Sequence, residues 1–166
     1  MVVSIADQAA DLYDDAGVRI RRYPVSTAAK GVGEIRDSYC TPRGRHYVRA
    51  KIGAGQPINT VFVRRRPTGE LYSTALQASA PDRDWILTRI LWLSGCEPGF
   101  NRLGRVDTMR RYIYLHGTPD QTPLGRPGSH GCIRIANRDI IELFDLLPVY
   151  SAVEIIEGSH WPGKGN

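Results

Sequence analysis

Seventeen Gly and eleven Pro are scattered along the whole 166-residue chain. These residues punctuate regular structure, so the polypeptide must fold as many short elements joined by turns. The segments between them carry strand patterns. Val18-Arg19-Ile20-Arg21 alternates apolar and basic residues, and Asp14-Asp15-Ala16-Gly17 before it reads as a hairpin turn. Tyr47 to Ile52 and Thr60 to Val63 also read as strands. Ile86 to Leu93 fits either a buried strand or a helix, and its β-branched content and Gly-rich exit favour the strand. Arg111 to Leu115 is a strand that delivers His116 at its end, and Val149 to Ile156 is a last strand. One helix is clear, with Asn137 as N-cap, Asp139 in its first turn, and Ile140, Leu143, Phe144 and Leu147 on one face before Pro148. Val2 to Tyr13 is ambiguous, since Ala, Asp and Gln there favour a helix. The expected class is mainly β with one helix.

The length suits one domain, residues 1–160, with 161–166 as a C-terminal tail. No apolar run reaches the ~18 residues of a membrane span, so no membrane partner is expected. Net charge is +5, nearly all from arginine, with Lys30, Lys51 and Lys164 as the only lysines. The one tight basic cluster, Arg64-Arg65-Arg66, sits at a turn before Pro67 and reads as a solvated loop. Aromatic residues are not interleaved with the basic ones as base stacking requires, so no nucleic-acid partner is expected. An anionic substrate accounts for the charge equally well, because arginine suits bidentate carboxylate recognition. The N-terminus lacks the basic start and apolar stretch of a secretory signal. Cys40, Cys96 and Cys132 are odd in number and form no framework spacing. The expectation is a cytoplasmic protein, the alternative an exported one whose leader has been removed.

The chemistry concentrates in HGTPDQTPLGRPGSHGCIRI, His116 to Ile135. A lone Cys is usually a buried hydrophobe. Here Cys132 has two histidines within reach, and a neighbouring imidazole can take a thiol proton. His130 lies two residues away and His116 sixteen, at the end of a rigid strand; the strand makes His116 the better-fixed base. Gly131 lets the backbone beside Cys132 approach a reacting carbonyl and present N–H groups to it. Arg134 suits a substrate carboxylate, and Ser129 suits orienting His130 or bonding the substrate. Two other readings stay open on the residues alone. One is a turn with structural histidines. The other is a zinc site of His116, His130 and Cys132, with nothing in the spacing of His46 or Cys40 to recommend them as further ligands.

His116-Gly117-Thr118, a variable loop, and then Ser129-His130-Gly131-Cys132-Ile133-Arg134 closely resemble the signature of the YkuD family, the L,D-transpeptidase catalytic domain. Leu12-Tyr13-Asp14, Tyr23 to Thr27 and Thr41 to Gly44 resemble earlier segments of that family in order, so the similarity runs from about residue 3 to 156. The resemblance implies a β-sandwich-like domain with Ile5 to Tyr13 as a strand. It implies Cys132 as nucleophile, His116 as general base oriented by the Gly117 carbonyl, and amides near Gly131 and Cys132 as oxyanion donors. His130, Arg134 and Ser129 then belong to the substrate-facing loop, Ser26 and Thr27 are structural, and neither metal nor cofactor is required. The implied substrate is the meso-diaminopimelate–D-Ala bond of peptidoglycan tetrapeptide stems or soluble muropeptides, cleaved through a thioester. Water as acceptor makes an L,D-carboxypeptidase of muropeptide recycling, the favoured expectation; an amine makes a 3-3 cross-linking L,D-transpeptidase. A non-catalytic peptidoglycan-binding domain is the third alternative. Between Ile52 and His116 the sequence is peculiar, and this segment is expected to build part of the cleft wall; for Glu97 and Arg111 there, a cleft role and an exposed salt bridge both stay open.

Overall fold

The computed structural model describes residues 1–160; the expected tail at 161–166 lies outside them. Ten strands form one sheet: β1 (Val2–Ser4), β2 (Ala9–Tyr13), β3 (Arg19–Ser26), β4 (Gly44–Ile52), β5 (Thr60–Val63), β6 (Arg66–Leu71), β7 (Ile86–Gly95), β8 (Tyr114–Thr118), β9 (Ile133–Ala136) and β10 (Ala152–Ile156). Two helices complete it, α1 (Thr74–Ser79) and α2 (Asn137–Leu146). Strand order is β4-β10-β1-β2-β3-β9-β8-β7-β5-β6, and β4 also pairs with β7. That pairing curls the sheet back on itself, so its inner faces pack as the layers of a sandwich and the β5–β6 hairpin projects from one end. Only β1–β10 and β8–β9 are parallel.

The core follows from alternation. Val3, Val25, Val48, Leu91, Leu93, Leu115, Ile133 and Ile135 point inward and are fully buried, each worth about 1.5–3 kcal/mol relative to exposure. Ile140 and Leu143 of α2, also fully buried, join them, and α2 lies on β7, β8 and β9. The fold is mainly β, as the sequence implies.

Several boundaries differ from the sequence reading. The segment implied as one strand from Ile5 to Tyr13 is instead part of a hairpin: β1 and β2 pair antiparallel, and Gln8 in the connection has a φ of 49°. The Gln8 side chain secures that turn, donating to Ile5 O and Thr27 Oγ1 and accepting from Thr27 N. The strand at Arg111 starts later, at Tyr114, because residues 107–112 form a turn; His116 is therefore mid-strand. Asn137 does not cap α2. Ala136 occupies that position, and the Asn137 side chain turns inward to donate to Thr118 O (2.8 Å) and accept from Thr88 Oγ1 (2.6 Å). Neither α1 nor β6 has a counterpart in the sequence reading.

Candidate active site

Parallel pairing of β8 with β9 aligns Leu115 with Ile133 and His116 with Arg134. The residue before Ile133 is Cys132, so this register alone brings the two halves of the motif together. Gly131 takes a φ of 129°, and a Cβ there would sit 3.3 Å from both Cys40 O and Ile113 Cδ1. Only glycine carries the chain through this point without strain.

The loop is pinned from outside. Ser129 N and Gly128 N donate to Thr27 O, Ala29 N donates to Ser129 O, and Thr41 Oγ1 donates to Gly131 O at 3.0 Å. Thr27 and the fully buried Ser26 thus lie in the support of the loop. Ser129 is buried; its hydroxyl donates to Cys132 O at 2.5 Å and accepts from Gly131 N at 3.2 Å. The Gly131 amide is therefore committed to Ser129. The Cys132 amide has no partner among the described residues and is the donor open to a developing oxyanion.

His116 is buried with Nδ1 2.7 Å from Gly117 O. A carbonyl can only accept, so the bond assigns the proton to Nδ1 and leaves Nε2 as the basic nitrogen. Burial lowers the His116 pKa, opposed by the Asp84 charge and the Gly117 carbonyl. Gly117 is as constrained as Gly131: a Cβ would fall 2.5 Å from Asn137 Oδ1 and 2.6 Å from Leu87 O. Thr88 bonds to Asn137 from the neighbouring strand with a φ of 70°, in the bulge between Leu87 and Ile90. Left-handed backbone at a β-branched residue is strained and persists only where the surroundings overdetermine it.

The Cys132 thiol donates to Tyr112 O (3.3 Å) and accepts from Tyr114 N (3.4 Å). Burial, aided by Asp84, pushes it up to about 12 against the pull of the Tyr114 amide. Burial thus favours the neutral form of both Cys132 and His116.

Asp84 is the residue that sequence reasoning missed. Its Oδ1 accepts from Arg134 Nη2 at 2.9 Å, and its Oδ2 lies 3.6 Å from His130 Nδ1. Burial raises its pKa, but His116, Arg134 and His130 together hold it below the usual carboxylate value. Nothing in the spacing advertises Asp84, which lies fifty positions from Arg134. Arg134 also donates to Gly128 O at 2.9 Å. His130 is exposed, edge-on to Tyr39, and lines three hollows of about 200, 250 and 340 Å³. Cys132 opens into the largest. With the thiol on Tyr112 and His130 turned to Asp84 and Tyr39, the three residues of the zinc reading do not form a ligand set, nor does any other group among the described residues. His46 is buried between Gly44 O and Thr108 Oγ1 instead.

Of the two readings open for Arg111 and Glu97, the exposed salt bridge is not the one found. Arg111 makes no salt bridge among the described residues: it donates to Gly33 O, Glu34 O, Ser38 Oγ and Cys40 O, bracing the 33–40 loop. Glu97 likewise accepts from Arg45 N and Asn101 Nδ2, organising its own turn. Most of these partners are backbone groups, which the sequence does not distinguish.

The family model of the YkuD L,D-transpeptidase catalytic domain matches residues 1–155. The chain belongs to this family. Among curated relatives, a stretch of 42 residues is 48% identical to a putative L,D-transpeptidase from the ATP synthase subunits region of Fuscovulum blasticum, covering 25% of this chain and 22% of that protein. A stretch of 46 residues is 37% identical to the putative L,D-transpeptidase YkuD of Bacillus licheniformis, covering 28% of each. The solved L,D-transpeptidase 3 of Mycobacterium tuberculosis superposes with a TM-score of 0.57 at 19% identity, over 94% of this chain and 60% of that one. An L,D-transpeptidase from Mycobacterium smegmatis gives 0.53 at 18% identity, over 93% and 57%. At such identities these structures carry the fold alone. The YkuD-family chain spans little more than half the length of these solved relatives. It is a cysteine enzyme family, and Cys132 and His116 are the candidate reactive pair of this member.

Proposed function

We propose that this YkuD-family protein cleaves the bond between meso-diaminopimelate and the terminal D-Ala of peptidoglycan tetrapeptide stems, with water as the usual acceptor. The observation that carries the acyl-transfer chemistry is the His116–Gly117 bond, which presents Nε2 as a base beside the strand that ends the Cys132 loop.

On substrate binding the thiol leaves Tyr112 O and passes its proton to His116 Nε2 as sulfur attacks the diaminopimelate carbonyl. The oxyanion takes the free Cys132 amide. Collapse breaks the C–N bond, His116 returns the proton to the departing D-Ala amine, and a thioester remains. Water then attacks it, again deprotonated by His116, releasing the tripeptide acid and restoring the thiol.

What supports water is scale. The hollow beyond Asp84 and His130, about 250 Å³, has room for a departing amino acid and the water that follows. One observation favours the amine reading: Asp82 and Asp84 line that same hollow, and acids there attract an ammonium group.

Mass spectrometry of a disaccharide-tetrapeptide incubated with the protein, alone and with excess D-methionine, separates the two. Tripeptide in both tubes supports the carboxypeptidase. D-methionine exchange or cross-linked dimers replace it with the transpeptidase. Cys132→Ala must abolish either product while leaving the fold intact, and His116→Ala must lose about 10²–10⁴-fold in rate. Stem binding without turnover by the unaltered protein leaves the non-catalytic reading. As to compartment, soluble muropeptides in the cytoplasm are the proposed substrate, and fractionation of the producing cells tests this directly.

A further inference from the structure

The Arg64–Arg66 cluster is a turn, as its sequence suggests, but it is not simply solvated. Val63 pairs with Arg66, leaving Arg64 and Arg65 as the two-residue loop of the β5–β6 hairpin. Their φ values are 49° and 65°. Two-residue hairpin loops of this hand normally take Asn and Gly, because side chains with a Cβ resist positive φ. Here two arginines occupy it, and both line the 340 Å³ hollow onto which Cys132 opens.

The two differ in their surroundings. Arg65 is fixed: its guanidinium lies 4.5 Å from the Trp92 ring centre and 4.7 Å from that of Tyr112, and Nη1 donates to Tyr114 Oη at 3.0 Å. The same Tyr114 donates its backbone N–H to the Cys132 sulfur, so the stack is registered to the nucleophile. Arg64 has no hydrogen-bond or ion-pair partner among the described residues. The other charges at this hollow are engaged: Arg111 holds the 33–40 loop, and Asp84 is held by Arg134. Arg64 is therefore the one guanidinium lining this hollow with all its donors open, on a tip whose neighbour is locked in place.

We propose that the β5–β6 turn is a carboxylate clamp in which Arg64, positioned by the Arg65 stack, binds a substrate carboxylate beside the scissile bond and so restricts Cys132 to stems whose reacting end carries a free acid. This rests on the peptide-stem reading above. It deepens it, because an anion requirement at that place turns a general acyl-transfer site into one that selects its donor peptide by charge. A planar fork of donors matches a carboxylate bidentately. Two carboxylates of a tetrapeptide stem have this chemistry, that of the terminal D-Ala and the free one of meso-diaminopimelate.

The test compares three substrates: the tetrapeptide acid, the same peptide ending in D-alaninamide, and the same peptide with the diaminopimelate carboxylate amidated. The unaltered protein should prefer the acid to one of the two amides by about ten-fold or more in kcat/KM, and the amide that suffers identifies the carboxylate held. Arg64→Asn keeps a residue that tolerates left-handed backbone and removes the charge. It should bring the acid within about three-fold of that amide, chiefly through KM. Equal treatment of all three substrates by the unaltered protein overturns the clamp, as does an undiminished preference in Arg64→Asn. If no substrate is cleaved at all, the peptide-stem reading has failed and the clamp is still decided by thiol alkylation. Iodoacetate should modify Cys132 faster, relative to iodoacetamide, in the unaltered protein than in Arg64→Asn or Arg65→Gln, with peptide mapping separating Cys132 from Cys40 and Cys96. An unchanged ratio overturns the clamp.

Discussion

The Nδ1 of His116 lies 2.7 Å from the carbonyl oxygen of its own neighbour, Gly117. The imidazole is thus oriented by the next residue in its strand, and that works only because Gly117 has no side chain to disturb the packing beside it. Asn137 Oδ1 and Leu87 O stand 2.5 and 2.6 Å from where a Cβ would be. Gly117→Ala should therefore destabilise the protein by about 1–3 kcal/mol, the usual range for overpacking a tight interior. Urea denaturation measures that loss, and turnover should fall with it as His116 is displaced. A variant as stable and active as the parent would refute the constraint.

Asp84 stands between Arg134 and His130 and acts on His116 by its charge. The carboxylate raises the His116 pKa above the level that burial alone would set. Asp84→Asn removes that support and frees Arg134, whose charge lowers His116 further. The acid limb of kcat/KM should consequently move to lower pH, and the rate should drop. A pH–rate profile decides this. A limb that stays in place while the rate falls would leave Asp84 a purely structural partner of Arg134.

Cys132, with a thiol at about 12 rather than 9.0, makes a prediction about alkaline stability. The folded state keeps its proton where the unfolded chain has lost it, so this contribution is intact below pH 9.0 and is lost as pH rises toward 12. Cys132→Ser has no group titrating there, and its stability should fall less steeply over that window. Alkylation of the resting thiol by a neutral electrophile should also be slower than that of a free model thiol at pH 8. Slow labelling is thus a property of the resting active site and does not diagnose an inert protein.

His46 governs the acid side. Buried, with its pKa driven down to about 4 by desolvation against the Gly44 carbonyl and Glu97, it stays neutral where an unfolded histidine is charged. Its share of stability is present above pH 6.5 and is lost as pH falls to about 4, in total about 3 kcal/mol. His46→Gln should start less stable at neutral pH and show a flatter decline over that interval. Chemical denaturation at pH 7 and at pH 4.5 provides the comparison, and parallel slopes in the two proteins would rule the assignment out.

Much of this molecule could be read directly from its residues, and the parts that could not share one physical cause. Strands β4, β5 and β7 were legible because their apolar periodicity is local, and so were the α2 stripe and the pairing of His116 with the Cys132 loop through the motif. The break between β1 and β2, the position of Asn137 beside Thr88, and the roles of Glu97 and Arg111 were not. Each is settled by a backbone group or side chain far away in the chain. Asn137 has good local reason to cap a helix, yet the buried carbonyl of Thr118 and hydroxyl of Thr88 offer it partners that a solvated cap cannot match.

The sequence by itself determined a mainly β chain, an amphipathic helix after the motif, and a Cys–His motif with glycines where its backbone must be bare. Only the tertiary structure decided which carboxylate faces Arg134, which amide stays open for an oxyanion, and that two arginines at a hairpin tip overlook the thiol. Periodicity and glycine act within a few residues and so are written in the local order of the chain. Charge pairing and hydrogen-bond completion act across whatever the folded sheet brings together, here the fifty positions between Asp84 and Arg134, and exist only once β7, β8 and β9 have paired.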